Sequence, residues 1–419
     1  MTSTPELLVE KPRISSIDLM RGVVMVIMAL DHTRGFFHIV AFTMNPTDPA
    51  QTTAAIFFTR WITHFCAPTF VFLSGTSIRL SLQRKSTKEL SRFLVTRGLW
   101  LIFLEFTVVR FSFFFNLYYD ATVVQVIYTI GMSMVIMAAV IHLKEKIILI
   151  AGIVITAGHN LLDGVQLDPA NPLFALWRFV YQAGPLQIAP GKVFLVEYPV
   201  LPWLGIMLLG YSMGQWYLKG FDPSRRQKLL LIVGIGGTVL FLILRGINIY
   251  GDPAPWQFQK ESMRTFLSFM NCTKYPVSLL YTLMTLGPVL IFLSLMEKVS
   301  IRRWRPVEVF GRVPMFFYIV HFFLIHSLAI AVYLVVRHKT FSDLNFHFFT
   351  ESGVGKQTES QFGTIPSLSG YFGGVPLAAG YALRWVYVVW AGIILIMYPL
   401  CKRYNAYKSS HSHWWLSYL

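Results

Sequence analysis

Long apolar runs recur along the chain, each near the ~20 residues that cross a bilayer as a helix. They fall at 17–40, 61–81, 93–115, 122–142, 147–165, 195–218, 229–250, 275–297, 309–336 and 378–401. Lipid offers no partner to an unpaired backbone group, so runs of this length predict helices. The fold class expected is all-α: a polytopic transmembrane helical bundle of about ten spans, ten or eleven. Residues 1–419 read as one transmembrane domain, with 166–194 and 338–377 as external loops over a cavity. Asp31, His32 and Arg34 interrupt the first run, and no small-residue cleavage site follows it, so it reads as a retained span.

The segments between the runs predict the orientation. Lys11 and Arg13 precede the first run. Arg84, Lys85, Lys88 and Arg92 follow the second, Lys144 and Lys146 the fourth, and Lys219, Arg225, Arg226 and Lys228 the sixth. Lys298, Arg302, Arg303 and Arg305 follow the eighth, and Lys402, Arg403 and Lys408 the tenth. With alternating spans all of these fall on one side, which the positive-inside bias makes the cytoplasm. Both termini are then cytoplasmic, in the inner membrane of the cell. The exception is 251–274, an outer segment that carries Lys260, Arg264 and Lys274. The tail 402–419 is basic and aromatic and is expected to lie along the inner surface, in contact with lipid.

Composition changes the picture in one respect. Only 13% of the 419 residues are charged, against ~25% for a soluble domain. The net charge of +16 would suggest a nucleic-acid partner in a soluble protein. Here the cations sit between apolar runs, and no basic and aromatic stripe exists, so no nucleic acid is expected. Cys66, Cys272 and Cys401 lie far apart without metal-ligand spacing.

Polar residues inside the runs carry the candidate chemistry, because ionisable groups at membrane depth are costly. Asp18 and Arg21 are three apart and share a helix face. His32 lies eleven residues beyond Arg21, close to three full turns, so it continues that face. Asp31 and Arg34 flank it and can pair. Asp18 and Arg21 read either as a structural ion pair or as part of a site, and His32 either as a packing histidine or as a reactive one. In the second run Arg60 and His64 share a face, Pro68 loosens the backbone and Gly75 permits close helix approach. Arg97, Glu105 and Arg110 lie in the third, where Glu105 either pairs with Arg110 or faces the stripe. Glu197 opens the sixth run ahead of two prolines. Tyr318 and His321 share a face in the ninth, and His326 points elsewhere. No phosphate-cradling glycine loop, paired metal ligands or Gly-x-Ser-x-Gly elbow occurs, which disfavours a serine hydrolase and a metalloenzyme.

Several segments carry a family resemblance. Arg13-Ile-Ser-Ser-Ile-Asp18-Leu-Met-Arg21-Gly22 leads into Ala29-Leu-Asp31-His32. Arg60-Trp-Ile-Thr-His64-Phe-Cys-Ala-Pro68 runs on to Phe72-Leu-Ser-Gly75. With Tyr198-Pro-Val-Leu-Pro-Trp203, Lys274-Tyr-Pro276, Phe310-Gly-Arg312-Val-Pro314 and the closing Trp-Trp-Leu-Ser-Tyr-Leu, the chain resembles bacterial relatives of heparan-α-glucosaminide N-acetyltransferase. That resemblance implies acyl transfer from cytoplasmic acetyl-CoA to a sugar or glycolipid on the other side. The related acyltransferase-3 branch has an Arg, ten intervening residues and a functional His, a spacing that Arg21 and His32 match. The animal enzymes carry their active histidine in the first luminal loop, where His38 is nearest by location.

The expected chemistry follows. Histidine suits a base that takes the acceptor proton near neutral pH, and a thioester needs no metal. His32 is expected to be the general base or a transient acyl carrier, with His38 as the other candidate, and Asp31 and His64 to orient it. Arg21, Arg34, Arg60 and Arg97 would stabilise negative charge or bind CoA phosphates. Glu197, Tyr318 and His321 would contact substrate or cofactor, and Asp18, Pro68 and Gly75 would be structural. Assembly as a homodimer is left open. The other reading is a secondary transporter or exporter of an anionic small molecule, in which the same residues form a proton relay and a clamp.

Overall fold

The computed structural model describes residues 14–299, 301–349, 357–360, 363–366, 368–411 and 413–417. Lys11, Arg13 and Lys356, and the last two residues of the tail, lie outside them. The helices are α1 Ser15–Phe37, α2 Ala54–Trp61, α3 Cys66–Ser81, α4 Thr87–Leu104, α5 Arg110–Phe114, α6 Val126–Val140, α7 Glu145–Gly158 and α8 Phe174–Val180. After them come α9 Val200–Met213, α10 Pro223–Ile247, α11 Ser262–Met270, α12 Leu279–Met296, α13 Arg305–Arg312, α14 Pro314–Val336 and α15 Leu383–Ser410.

Among the described residues six helices are long and apolar enough to cross a membrane: Ala54–Ser81, Glu145–Leu162, Pro223–Ile247, Leu279–Met296, Pro314–Val336 and Leu383–Ser410. The other four runs also form helices. In α1 the charges Asp18, Arg21, Asp31 and Arg34 dilute the apolar signal, and α6 is a shorter apolar helix.

The all-α expectation needs one correction. Ala121–Val124 is a strand, β1. Gly184–Ala189 (β2) and Lys192–Val196 (β3) complete a sheet of order β1-β3-β2. β1 runs parallel to β3, and β2 antiparallel to it. The runs expected at 122–142 and 195–218 therefore begin as strands and become helical only at Val126 and Val200. Both strand segments are rich in β-branched and aromatic residues, and a short apolar run does not by itself distinguish strand from helix. Two hairpins occur in 338–377: β4 (Gln357–Ser360) with β5 (Gly363–Pro366), and β6 (Tyr371–Phe372) with β7 (Val375–Pro376).

Helices α1 and α13, α3 and α9, α4 and α6, and α10 and α12 pack as pairs. Gly75 does what its position predicts: a Cβ there would lie 2.1 Å from the carbonyl oxygen of Met207, so only glycine lets α3 and α9 touch backbone to backbone.

Pro68 also acts through the backbone. Between α2 and α3 the chain tightens into a 3-10 turn, Ile62–Phe65. Proline has no N–H to donate to the carbonyl four residues back, which here belongs to His64. The buried Tyr281 hydroxyl of α12 donates to that oxygen at 2.9 Å instead. Tyr281→Phe leaves it unsatisfied and is expected to lower stability by about 1–3 kcal/mol, measured as a fall in Tm of the detergent-solubilised protein.

Two charges of the third run prove structural. Glu105 opens a π turn and accepts from the backbone N–H groups of Gln125 at 3.3 Å and Tyr128 at 3.1 Å, satisfying the start of α6. Arg110 does not pair with it. Arg110 donates to the carbonyls of Ala121 and Asn116 and to Asp120, binding α5 to the sheet.

Candidate active site

His32, in the last quarter of α1, meets His321 of α14. Its Nδ1 lies 2.7 Å from His321 Nε2, and His321 Nδ1 lies 2.8 Å from the carbonyl oxygen of Phe317. A carbonyl only accepts, so His321 Nδ1 must carry a proton. In a neutral ring that leaves Nε2 as an acceptor, and His32 Nδ1 must then be the donor. The chain of contacts fixes both tautomers and leaves the lone pair of His32 on Nε2. His321 is completely buried. The His32 ring stacks on Phe322 at 4.1 Å and meets Tyr318 edge-on at 6.4 Å. Packing and hydrogen bonding together hold the imidazole in one orientation.

His32 lines a hollow of about 160 Å³. Asp31, Arg34, Arg60, Glu197, Lys274 and Tyr318 share its wall. Asp31 sits between two guanidiniums, at 3.2 Å from Arg34 and in a close ion pair with Arg60. Arg60 also reaches the Tyr275 hydroxyl at 3.5 Å. Three basic side chains, Arg34, Arg60 and Lys274, thus face two acidic ones, Asp31 and Glu197, around His32. Such a hollow can hold a proton acceptor beside a site where negative charge develops.

Some expected placements need correction. The hydrogen bonds of the Asp31 carboxylate go to Arg34 and Arg60 rather than to His32, since guanidiniums are stronger donors to a carboxylate than an imidazole is. His64 does not reach His32 either. Its Nδ1 is buried without a hydrogen-bond partner, and its ring packs 5.1 Å from that of Tyr281. His321, expected only as a substrate contact, fills the orienting place. His38 caps the end of α1 and lines a separate cavity of about 30 Å³ with Tyr381. Arg97 lies on α4 over the Phe93 ring at 5.9 Å and is not among the residues lining the hollow. His326 bridges the carbonyls of Ser112 and Gly373 at 2.8 and 2.7 Å, away from His32, as its position predicts.

Arg21 is held by Asp18 at 3.2 Å and by the Ser77 hydroxyl. It opens on a different cavity, of about 900 Å³. Arg84, Lys85, Lys219, Arg312 and Lys408 line that cavity with it. Arg84, Lys85 and Lys219 come from two of the basic segments between runs, Lys408 from the basic tail, and Arg312 from just beyond a further basic segment. The polar stripe of α1 therefore serves two cavities, about 16 Å apart along the helix axis.

Lys274 is the residue that the polar-stripe reasoning missed. Its ammonium lies 5.5 Å from the Tyr198 ring and 4.9 Å from the Tyr275 ring, inside the His32 hollow. The available signal was that 251–274 broke the charge rule. Gln125 also lines the hollow and accepts from Tyr318 at 3.5 Å. Among the described residues no group of three His, Cys, Asp or Glu side chains could hold a metal ion.

No individual curated protein matches the chain. The family model for heparan-α-glucosaminide N-acetyltransferase, catalytic, matches residues 13–250, more than half the chain. The matched part carries His32, Asp31, Arg34, Arg60 and Glu197, while Lys274, Tyr318 and His321 lie beyond it. With helices suited to crossing a membrane and a match of that length, the chain belongs to the heparan-α-glucosaminide N-acetyltransferase catalytic family, whose name implies a membrane acetyltransferase.

Proposed function

We propose that the protein moves an acetyl group from cytoplasmic acetyl-CoA to an extracytoplasmic sugar or glycolipid, with His32 Nε2 as the general base. The observation that carries this reading is the tautomer chain from the Phe317 carbonyl through His321 to His32, ending in a lone pair inside a cation-rich hollow. Acetyl-CoA supplies an activated thioester. His32 takes the proton of the acceptor hydroxyl or amine as that atom bonds to the acetyl carbon and the carbon–sulfur bond breaks. Arg34, Arg60 and Lys274 stabilise the charge that develops on the carbonyl oxygen. Glu197 and Tyr318 orient the acceptor in the same hollow.

The Arg21 cavity suits the phosphates of the donor, since it gathers Arg21, Arg84, Lys85, Lys219, Arg312 and Lys408. Its basic lining makes this the cytoplasmic side. The chain then forms a single domain of ten spans in the inner membrane with both termini in the cytoplasm. The segments 166–194 and 338–377 lie outside, and the tail 402–419 lies on the inner surface. A pantetheine arm would follow α1 from Arg21 towards His32.

The test is transfer from radiolabelled acetyl-CoA to glucosamine, as a probe acceptor, by protein in lipid nanodiscs. Replacing Arg84 and Lys85 together with alanine is expected to raise KM for acetyl-CoA about tenfold and leave kcat within twofold, since phosphate contacts here give uniform binding. If acetyl-CoA gives no binding at about millimolar concentration, above the usual range of KM, the transporter reading replaces this one.

A further inference from the structure

Four phenylalanines line the His32 hollow on the side opposite α1's cytoplasmic end: Phe36 and Phe113 on helices, Phe42 on the segment after α1, and Phe372 on β6. Their rings are in mutual contact. The Phe42 and Phe372 centroids are 4.5 Å apart, Phe36 and Phe372 4.8 Å, and Phe36 and Phe113 6.3 Å. Phe113 continues the layer to Phe322 at 4.5 Å, and Phe322 stacks on His32.

Phe372 is pinned from behind. His326, completely buried in α14, lies with Nε2 2.7 Å from the Gly373 carbonyl oxygen and Nδ1 2.8 Å from that of Ser112, and a neutral ring donates to one of the two. Gly373 has φ +55°, and a Cβ there would lie 2.2 Å from His326 Nε2, so the hairpin can approach the helix this closely only through glycine. Phe42 has no such anchor. It lies in an irregular turn between Phe37 and Ala54.

We propose that Phe42 and Phe372 form a hydrophobic seal that keeps water of the outer side away from His32 and parts to admit the acceptor, Phe42 moving and Phe372 staying fixed. This rests on the acetyltransferase reading for its purpose. Water that reached a bound thioester would attack its carbonyl. A carbon–oxygen bond would form and the carbon–sulfur bond break, with the proton passing to His32 and acetate and CoA as products. Excluding water protects the donor until the acceptor is in place. Phe372 is buried, and Phe42 and Phe36 meet its ring tilted at 45° and 46°, which leaves little flat ring face for a sugar to stack on and favours a seal over a stacking platform.

Cys66 lines the same hollow and reports on access to it without relying on activity. Cys272 and Cys401 are buried elsewhere and are replaced with alanine. In sealed spheroplasts, a membrane-impermeant methanethiosulfonate added outside is expected to label Cys66 at least tenfold faster in Phe42→Ala and Phe372→Ala. In Phe42→Leu, which keeps apolar bulk, the rate should stay within about twofold of the parent. Acetyl-CoA hydrolysis without acceptor should rise at least tenfold in the same two alanine variants. Unchanged labelling in both alanine variants, or a leucine variant as fast as alanine, overturns the seal. Faster labelling in a protein that never turns over acetyl-CoA would leave the seal standing and remove the acetyltransferase reading instead.

Discussion

Replacing His32 with alanine is expected to lower acetyl transfer by about 10²–10⁴-fold, the usual contribution of a positioned general base. The hollow and its cations stay in place, so KM for acetyl-CoA should change little. The sharper result concerns His321, a positioning residue that touches no reacting atom. His321→Phe removes the acceptor for His32 Nδ1–H, freeing the proton to move to Nε2 and abolish the base. A fall in kcat of about 10²-fold is expected, at the lower end of the range for the base itself. His321→Gln can still offer a side-chain oxygen to His32 and should recover most of that loss. Single-turnover rates with saturating acetyl-CoA measure both. If His321→Gln and His321→Phe fall equally while the protein remains folded, His321 is only packing, and the tautomer assignment fails.

The second large effect is on stability and lies at Asp31. Its side chain is 16% exposed, between Arg34 at 9% and Arg60 at 14%. Removing the carboxylate leaves two guanidiniums facing each other with little water between them. Deleting one partner of a buried ion pair costs about 3–5 kcal/mol. Asp31→Ala is therefore expected to unfold at a markedly lower temperature and to express poorly. A double change, Asp31→Ala with Arg60→Met, should recover part of the loss by removing one uncompensated charge. If instead Asp31→Ala keeps its Tm and loses only kcat, Asp31 acts on His32 after all. The two outcomes separate by thermal unfolding in detergent followed by residual activity at a temperature where both proteins are folded.

The candidate site was half legible in the sequence, and the divide follows sequence distance. Asp18, Arg21, Asp31, His32 and Arg34 lie on one helix, and helical spacing alone places them in order. Asp18 with Arg21, and Asp31 with Arg34, are the i, i+3 pairs that the spacing predicts. His321 lies 289 positions from His32, and no periodicity links two helices. Arg60 was expected to handle negative charge of substrate, but half of its role is to neutralise Asp31. Lys274 sits on a loop, where side-chain direction has no periodic rule, and only its breach of the charge bias marked it. His64 shows the opposite failure. It shares a face with Arg60, yet the 3-10 turn ahead of Pro68 rotates it towards Tyr281.

The sequence alone determined the membrane character, the approximate positions of the long apolar helices and the chemical identity of the α1 stripe. Those properties depend on composition and on spacing within one element, where a helix repeats every 3.6 residues and lipid tolerates no other open backbone. The tertiary structure decided what each polar group faces. It split the stripe between two cavities, gave His32 its partner, and turned two expected helix starts into a sheet. It also made Glu105 and Arg110 structural. Each of these outcomes is a contact between segments remote in the chain, settled by which donors and acceptors could be satisfied together once the helices packed.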